Sequence, residues 1–218
     1  MKQIAVAFVA LALAACSNQP KTTEERKAAE PKKAAQAPDR FYVQFATTKG
    51  DFIMEVNRNW APRGADRVYE LVQEKFYDGS RFYRVVKGFI VQFGISGDPK
   101  QSELWSQLKL PDDPVMQKNA RGSVSFAKSG PGSRTTQLFI NLKDNSRQLD
   151  GNNFAPVGRI VKGMDVVDSL YAGYGEVQNL RGAGPDAQRL EAVGEEYLER
   201  SFPRLDKINS ATIVDYKS

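Results

Sequence analysis

A chain of 218 residues with 41% hydrophobic and 26% charged content can bury a sizeable core, as one domain or two small ones. It has no His and a single Cys, which excludes His-based zinc sites, Ser-His-Asp and Cys-His nucleophile systems, CxxC redox pairs and an internal disulfide framework. The formal charge of +5 comes from 31 basic against 26 acidic side chains scattered along the chain, so no basic run points to nucleic acid as a partner.

Met1 to Ala15 read as a short basic start at Lys2 followed by an apolar run from Ile4 to Ala15. That run is too short for the roughly 20-residue helix a bilayer demands, and it fits a secretory signal peptide. Its end, Leu13-Ala14-Ala15-Cys16, resembles the bacterial lipobox. The resemblance implies a mature lipoprotein that begins at a lipidated Cys16 and is held to a membrane by that anchor. Residues 17 to 39 carry three Pro, many Lys, Glu and Ala and no large apolar side chain. Such a segment cannot offset its ordering entropy, so a flexible tether is expected from Cys16 to Asp39, reaching at most roughly 80 Å. Ser17 after the Cys resembles lipoproteins sorted to the outer membrane, so the expected location is the bacterial cell envelope.

The folded domain is expected from Arg40 to Ser218. Phe41, Val43 and Phe45 alternate with Tyr42 and Gln44, a half-buried strand. Thr48-Lys49-Gly50-Asp51 reads as a turn, and Phe52, Met54 and Val56 complete a hairpin. Pro62 followed by Ala65, Val68, Leu71 and Val72 at helical spacing predicts a helix over 62–75. Strand-like runs follow at Phe82 to Val86, Phe89 to Phe93, Ser123 to Ala127, Leu138 to Leu142 and Val157 to Val161. A second helix is predicted over Met164 to Tyr171, then a Gly-rich stretch, a third helix marked by Leu190, Val193 and Tyr197, and a last strand over Ile208 to Val214. Many short strands separated by turns predict a closed or sandwiched antiparallel sheet. Gly130-Pro131-Gly132-Ser133 lacks a GxxxxGK[ST] pattern and reads as a tight turn.

Three stretches carry a specific resemblance: Phe82 to Gln92 (FYRVVKGFIVQ), Ser125 to Pro131 leading to Gln137-Leu138-Phe139-Ile140, and Leu149-Asp150-Gly151 leading to Val157-Gly158-Arg159-Ile160. In order and spacing they resemble the cyclophilin family of peptidyl-prolyl cis-trans isomerases over about residues 40 to 171, with the last strand completing the fold. The resemblance implies a mainly β protein, an eight-stranded antiparallel barrel capped by two helices, with an extra loop-helix insertion over about 172–204. Arg84 matches the catalytic arginine and Gln92 the glutamine beside it. Phe89, Ile90, Phe139 and Leu149 match the walls of the proline pocket; Ala127, Lys128, Ser129 and Gln137 match the groove for the residues before proline. Lys128 replaces a usual Asn, which implies backbone contacts there. Gln148 stands where many eukaryotic members have Trp, which implies no tight cyclosporin binding. The family's pocket His is absent, and Asn153 or Phe154 takes its place.

The chemistry fits a chain without His. Amide resonance sets a barrier of about 18–20 kcal/mol to X-Pro rotation, and lowering it breaks no bond and needs no nucleophile, metal or proton relay. At the twisted transition state the proline nitrogen gains a lone pair that a fixed guanidinium can engage, and arginine stays protonated across the physiological range. The expected function is isomerisation of X-Pro bonds in extracytoplasmic client proteins by a monomer that needs no cofactor and no metal. The alternative is a non-catalytic chaperone, receptor or adhesin that grips proline segments on the same fold. For residues 172 to 204 packing against the barrel is expected.

Overall fold

In the computed structural model, residues 36–217 are described. The expected signal peptide, the lipidated Cys16 and nearly all of the expected tether lie outside them. Ala37 is already buried, its amide donating to Asp66 Oδ1 at 2.9 Å, so the packed chain begins before the expected start at Arg40.

The elements in chain order are β1 (Arg40–Thr47), β2 (Gly50–Asn57), α1 (Pro62–Gln73), β3 (Arg84–Val86), β4 (Ile90–Phe93), α2 (Pro99–Ser106), β5 (Ser123–Phe126) and β6 (Leu138–Asn141). They continue with α3 (Ser146–Leu149), β7 (Pro156–Lys162), α4 (Met164–Asp168), α5 (Ala187–Val193), α6 (Glu195–Ser201) and β8 (Ile208–Val214). The eight strands form one sheet in the order β3-β4-β6-β5-β7-β2-β1-β8, with every pair antiparallel. The sheet curls until its edges meet. Arg81 bridges Lys207, the Phe82 amide donates to the Asp206 carbonyl at 3.0 Å and the Ile208 amide to the Ser80 carbonyl at 2.9 Å.

The alternation in β1 places Phe41, Val43 and Phe45 inside. Phe45 stacks on Phe52 at 4.9 Å and meets Phe93 edge-on at 5.6 Å within the barrel core. β2 pairs with β1 and β7 along its two edges and is buried on both faces, with helices α1 and α4 in contact with it, and its Glu55 is paired with Arg159 at 3.5 Å. Helix α1 starts with Pro in its first turn and turns Ala65, Val68, Leu71 and Val72 onto the sheet. Helices α1 and α4 both pack on strands of the barrel.

The insertion builds a second, smaller core in which Val177, Leu190, Tyr197, Leu198 and Phe202 surround Tyr83 and Ile95 of the barrel. Several boundaries differ from the sequence reading for identifiable reasons. The expected strand from Phe82 begins at Arg84, where pairing with β4 starts; the stretch before it pairs instead with the one around Lys207. The expected helix to Tyr171 ends at Asp168, and Asp206 Oδ2 takes the Tyr171 amide at 2.7 Å instead. The expected third helix is two helices broken at Gly194, whose φ of 75° no helix accepts, and Val193 is exposed. Helix α2 was not foreseen; Asp98 caps it by accepting from the Lys100 amide at 2.9 Å, and its Trp105 meets Phe76 edge-on at 5.7 Å.

Candidate functional site

Strands β3 and β4 form a short hairpin in which Arg84 lies directly opposite Gln92. Cross-strand neighbours on one face sit close enough for side chains to touch. Arg84 Nη1 donates to Gln92 Oε1 at 2.9 Å. Gln92 is buried, and its Nε2 donates to the Tyr83 hydroxyl at 2.5 Å and to Gln137 Oε1 at 3.0 Å. The Tyr83 hydroxyl in turn donates to Gln137 Oε1 at 2.6 Å. Burial holds the Tyr83 phenol well above the usual tyrosine range, so it is a neutral donor and acceptor at any ordinary pH. The amide of Gln92 is therefore fixed in rotation, with its oxygen turned to Arg84.

Beside this guanidinium is a cleft of about 290 Å³. Ile90, Phe139 and Leu149 form its buried apolar cluster, with Phe89, Ala127 and Phe154 packed against it. Phe139 and Phe154 meet edge-on at 5.6 Å, and the Arg84 guanidinium lies 5.9 Å from the Phe89 ring centroid. Phe154 lines the cleft, whereas Asn153 is exposed in a left-handed conformation and does not. Gln148 is exposed at the cleft wall.

A buried amide network holds the backbone of these walls. Asn145 Nδ2 donates to the Phe89 carbonyl at 2.9 Å and to Asn141 Oδ1 at 2.8 Å, and the Leu149 amide donates to the Asn145 carbonyl at 2.9 Å. Asn119, fully buried, donates to the Phe154 carbonyl and to Asp150 Oδ1, both at 2.8 Å. The sequence reading missed these three asparagines; their only signal is an amide side chain between apolar stretches.

The cleft continues into a groove of about 530 Å³. One wall carries Ala127, Lys128, Ser129 and Gln137, and the other carries Val177, Leu180 and Glu191 of the insertion. The Lys128 ammonium is tied to Asp112 Oδ2 at 3.0 Å and lies over the Phe154 ring at 5.4 Å. Burial pushes the Asp112 carboxyl up, but hydrogen bonds from Lys128 and the Gly132 amide, with the charges of Lys128 and Arg134, outweigh it and leave it below the usual range. Glu191 accepts from Gln137 Nε2 at 3.1 Å, and burial raises its carboxyl above the usual range. All eleven residues named from the sequence for catalysis and binding thus line the cleft or the groove. A wider hollow of about 730 Å³ beside Val115, Met116 and Lys118 holds none of them.

The sequence reading also missed Glu176, in the Gly-rich part of the insertion. Its Oε2 accepts from Arg84 Nη2 at 2.7 Å, and its Oε1 lies 2.6 Å from Arg84 Nε. Arg84 Nε makes no aligned hydrogen bond, so the second contact is an ion pair.

Residues 42–187 match the family model described as cyclophilin type peptidyl-prolyl cis-trans isomerase/CLD. The chain belongs to this family. It is a cyclophilin-type peptidyl-prolyl cis-trans isomerase. It is 34% identical over 134 residues to peptidyl-prolyl cis-trans isomerase A of Dickeya dadantii, an alignment covering 59% of this chain and 70% of that protein. It is 32% identical over 136 residues to peptidyl-prolyl cis-trans isomerase B of Escherichia coli, covering 59% and 82%. In fold it is similar to the crystal structure of a cyclophilin-type isomerase of Cryptosporidium parvum, with a TM-score of 0.56 and 19% identity over 82% of this chain and 99% of that one. Among the described residues of the isomerase no group of three or more His, Cys, Asp or Glu could hold a metal ion, and no helix is long and apolar enough to cross a membrane.

Proposed function

We propose that this isomerase works by directing Arg84 at the nitrogen of a twisted X-Pro bond, on client proteins outside the cytoplasm. One observation carries the reading: a guanidinium pinned at the mouth of an apolar cleft by Gln92 and Glu176, with a second N–H left over on both Nη1 and Nη2. The proline ring enters between Phe89, Ile90, Phe139, Leu149 and Phe154. Water is displaced there, which favours the less polar twisted amide and strengthens the arginine contact. As the bond rotates, the nitrogen becomes pyramidal and its lone pair accepts a free N–H of Arg84. The extended residues before proline lie in the groove along Ala127, Lys128, Ser129 and Gln137. No bond to carbon is made or broken, so no proton has to be moved.

A ten-thousandfold acceleration corresponds to about 5.5 kcal/mol, of which one fixed donor supplies about 3–4 kcal/mol. Desolvation and orientation in the cleft supply the remainder. The test is the cis-to-trans rate of X-Pro peptides with the full chain, wild type against Arg84→Ala. A loss of about a hundredfold in kcat/KM is expected. A retained rate ends the arginine mechanism, and a change in peptide affinity without a change in rate favours the peptide-gripping alternative.

The expected signal peptide, lipobox and tether, read from the sequence, support a chain anchored through Cys16 in the cell envelope, facing clients there. Palmitate labelling of the chain against Cys16→Ser tests the anchor; equal label in both removes it.

A further inference from the structure

The insertion before β8 does more than pack. Glu176 sits on the Nε–Nη2 edge of Arg84 while Gln92 takes Nη1, and between them they hold the guanidinium from two directions. Residue 84 lies on a three-residue edge strand, where a long, rotamer-rich side chain has little else to fix it.

The loop that offers Glu176 is itself tied down by backbone hydrogen bonds. The adjacent Val177 is buried in the insertion core, and its amide donates back to Glu176 Oε1 at 2.8 Å. The Gly184 amide donates to the Glu176 carbonyl at 2.8 Å, and the Gly182 amide to the Val177 carbonyl at 3.0 Å. A Cβ at Gly182 would overlap the Glu176 carbonyl, so this strand of loop crosses residue 176 only because it is glycine. The pair is mostly shielded, with 14% of the Arg84 side chain and 28% of the Glu176 side chain exposed.

We propose that Glu176 is a positioning residue of the isomerase, clamping the Arg84 guanidinium so that its remaining N–H groups face the proline pocket; the assignment rests on the role given to Arg84 above. Two effects of the carboxylate oppose each other. Its charge weakens the field that Arg84 presents to the imide nitrogen, whereas its contacts fix the donor's direction. Direction governs, because the nitrogen is engaged by one short hydrogen bond, and misplacement by about 1 Å can cost on the order of a hundredfold in rate.

The experiment measures kcat, KM and thermal midpoint of the full chain for wild type, Glu176→Ala, Glu176→Gln, Arg84→Ala and the double variant Glu176→Ala/Arg84→Ala. Expected are a fall in kcat of about tenfold or more for Glu176→Ala with KM within about twofold, and a smaller fall for Glu176→Gln, which keeps one acceptor for Nη2. In the Arg84→Ala background Glu176→Ala should have no further effect, which a role in packing alone does not produce. An unchanged or raised kcat in both Glu176 variants, with Arg84→Ala inactive, overturns the clamp and leaves the arginine mechanism standing. Full activity of Arg84→Ala removes both. Should Glu176→Ala fail to fold, Glu176→Gln decides, since a wild-type kcat in it overturns the clamp.

Discussion

Replacing Tyr83 by Phe removes one hydroxyl and nothing else. That hydroxyl accepts from Gln92 Nε2 at 2.5 Å and donates to Gln137 Oε1 at 2.6 Å, in a buried position. Without it Gln92 Nε2 keeps only Gln137 Oε1, at 3.0 Å, and one buried N–H is left without a partner. Two ordinary hydrogen bonds contribute about 0.5–1.5 kcal/mol each, so a loss of about 1–2 kcal/mol in stability is expected after the surviving bond is counted. For a domain of this size that is a drop in thermal midpoint of about 2–8 °C. The same change loosens the amide that holds Arg84 Nη1, and about 1 kcal/mol of lost orientation corresponds to about fivefold in kcat/KM. Tyr77→Phe is the control: its hydroxyl donates to the Thr136 carbonyl at 3.1 Å, equally buried, and touches no side chain of the cleft. Urea titration and X-Pro turnover on both variants separate the two effects. Full activity in Tyr83→Phe with stability lowered as in Tyr77→Phe would show that Gln137 alone orients Gln92, and the relay through the phenol would be refuted.

Two further outcomes follow from the insertion. Burial raises the Glu191 carboxyl, so the folded state holds its proton more tightly than the unfolded chain does. Its contribution to stability is intact below the ordinary glutamate value, about 4.3, and is lost as the pH rises through the raised value. Glu191→Gln, which can still accept from Gln137, is therefore expected to be more stable than wild type at pH 7 and no different at pH 4 by urea denaturation; a pH-independent difference contradicts this. Gly194→Ala places a Cβ against the Gly97 carbonyl at a φ of 75°, so it should cost more than 1 kcal/mol and open the insertion to limited proteolysis. Unaltered cleavage would show that the helices α5 and α6 tolerate the change.

What was legible in the sequence is what depends on neighbours along the chain. Arg84 and Gln92 face each other because the hairpin between them is short, turning at Lys87-Gly88. Phe139 and Leu149 sit at fixed offsets within well-patterned stretches. Glu176 was invisible for the opposite reason: it reaches Arg84 across 92 positions from a glycine-rich stretch without periodicity. Helix α2 buries only Ser102 and Trp105, too few to make an apolar stripe, and Asp98-Pro99 was its one available sign. The break at Gly194 was readable in principle, yet the spacing of Leu190, Val193 and Tyr197 outweighed it.

The meeting of the sheet's two rims has a consequence for an enzyme that handles extended chains. An open row of backbone donors and acceptors would recruit a client segment as a ninth strand and keep it. Here the stretch around Arg81 is stitched to that around Lys207, Asp78 takes the Ala211 amide at 2.9 Å, and the free side of β3 is three residues long. So short a rim beside the proline cleft offers a guest strand only a few rungs to pair with.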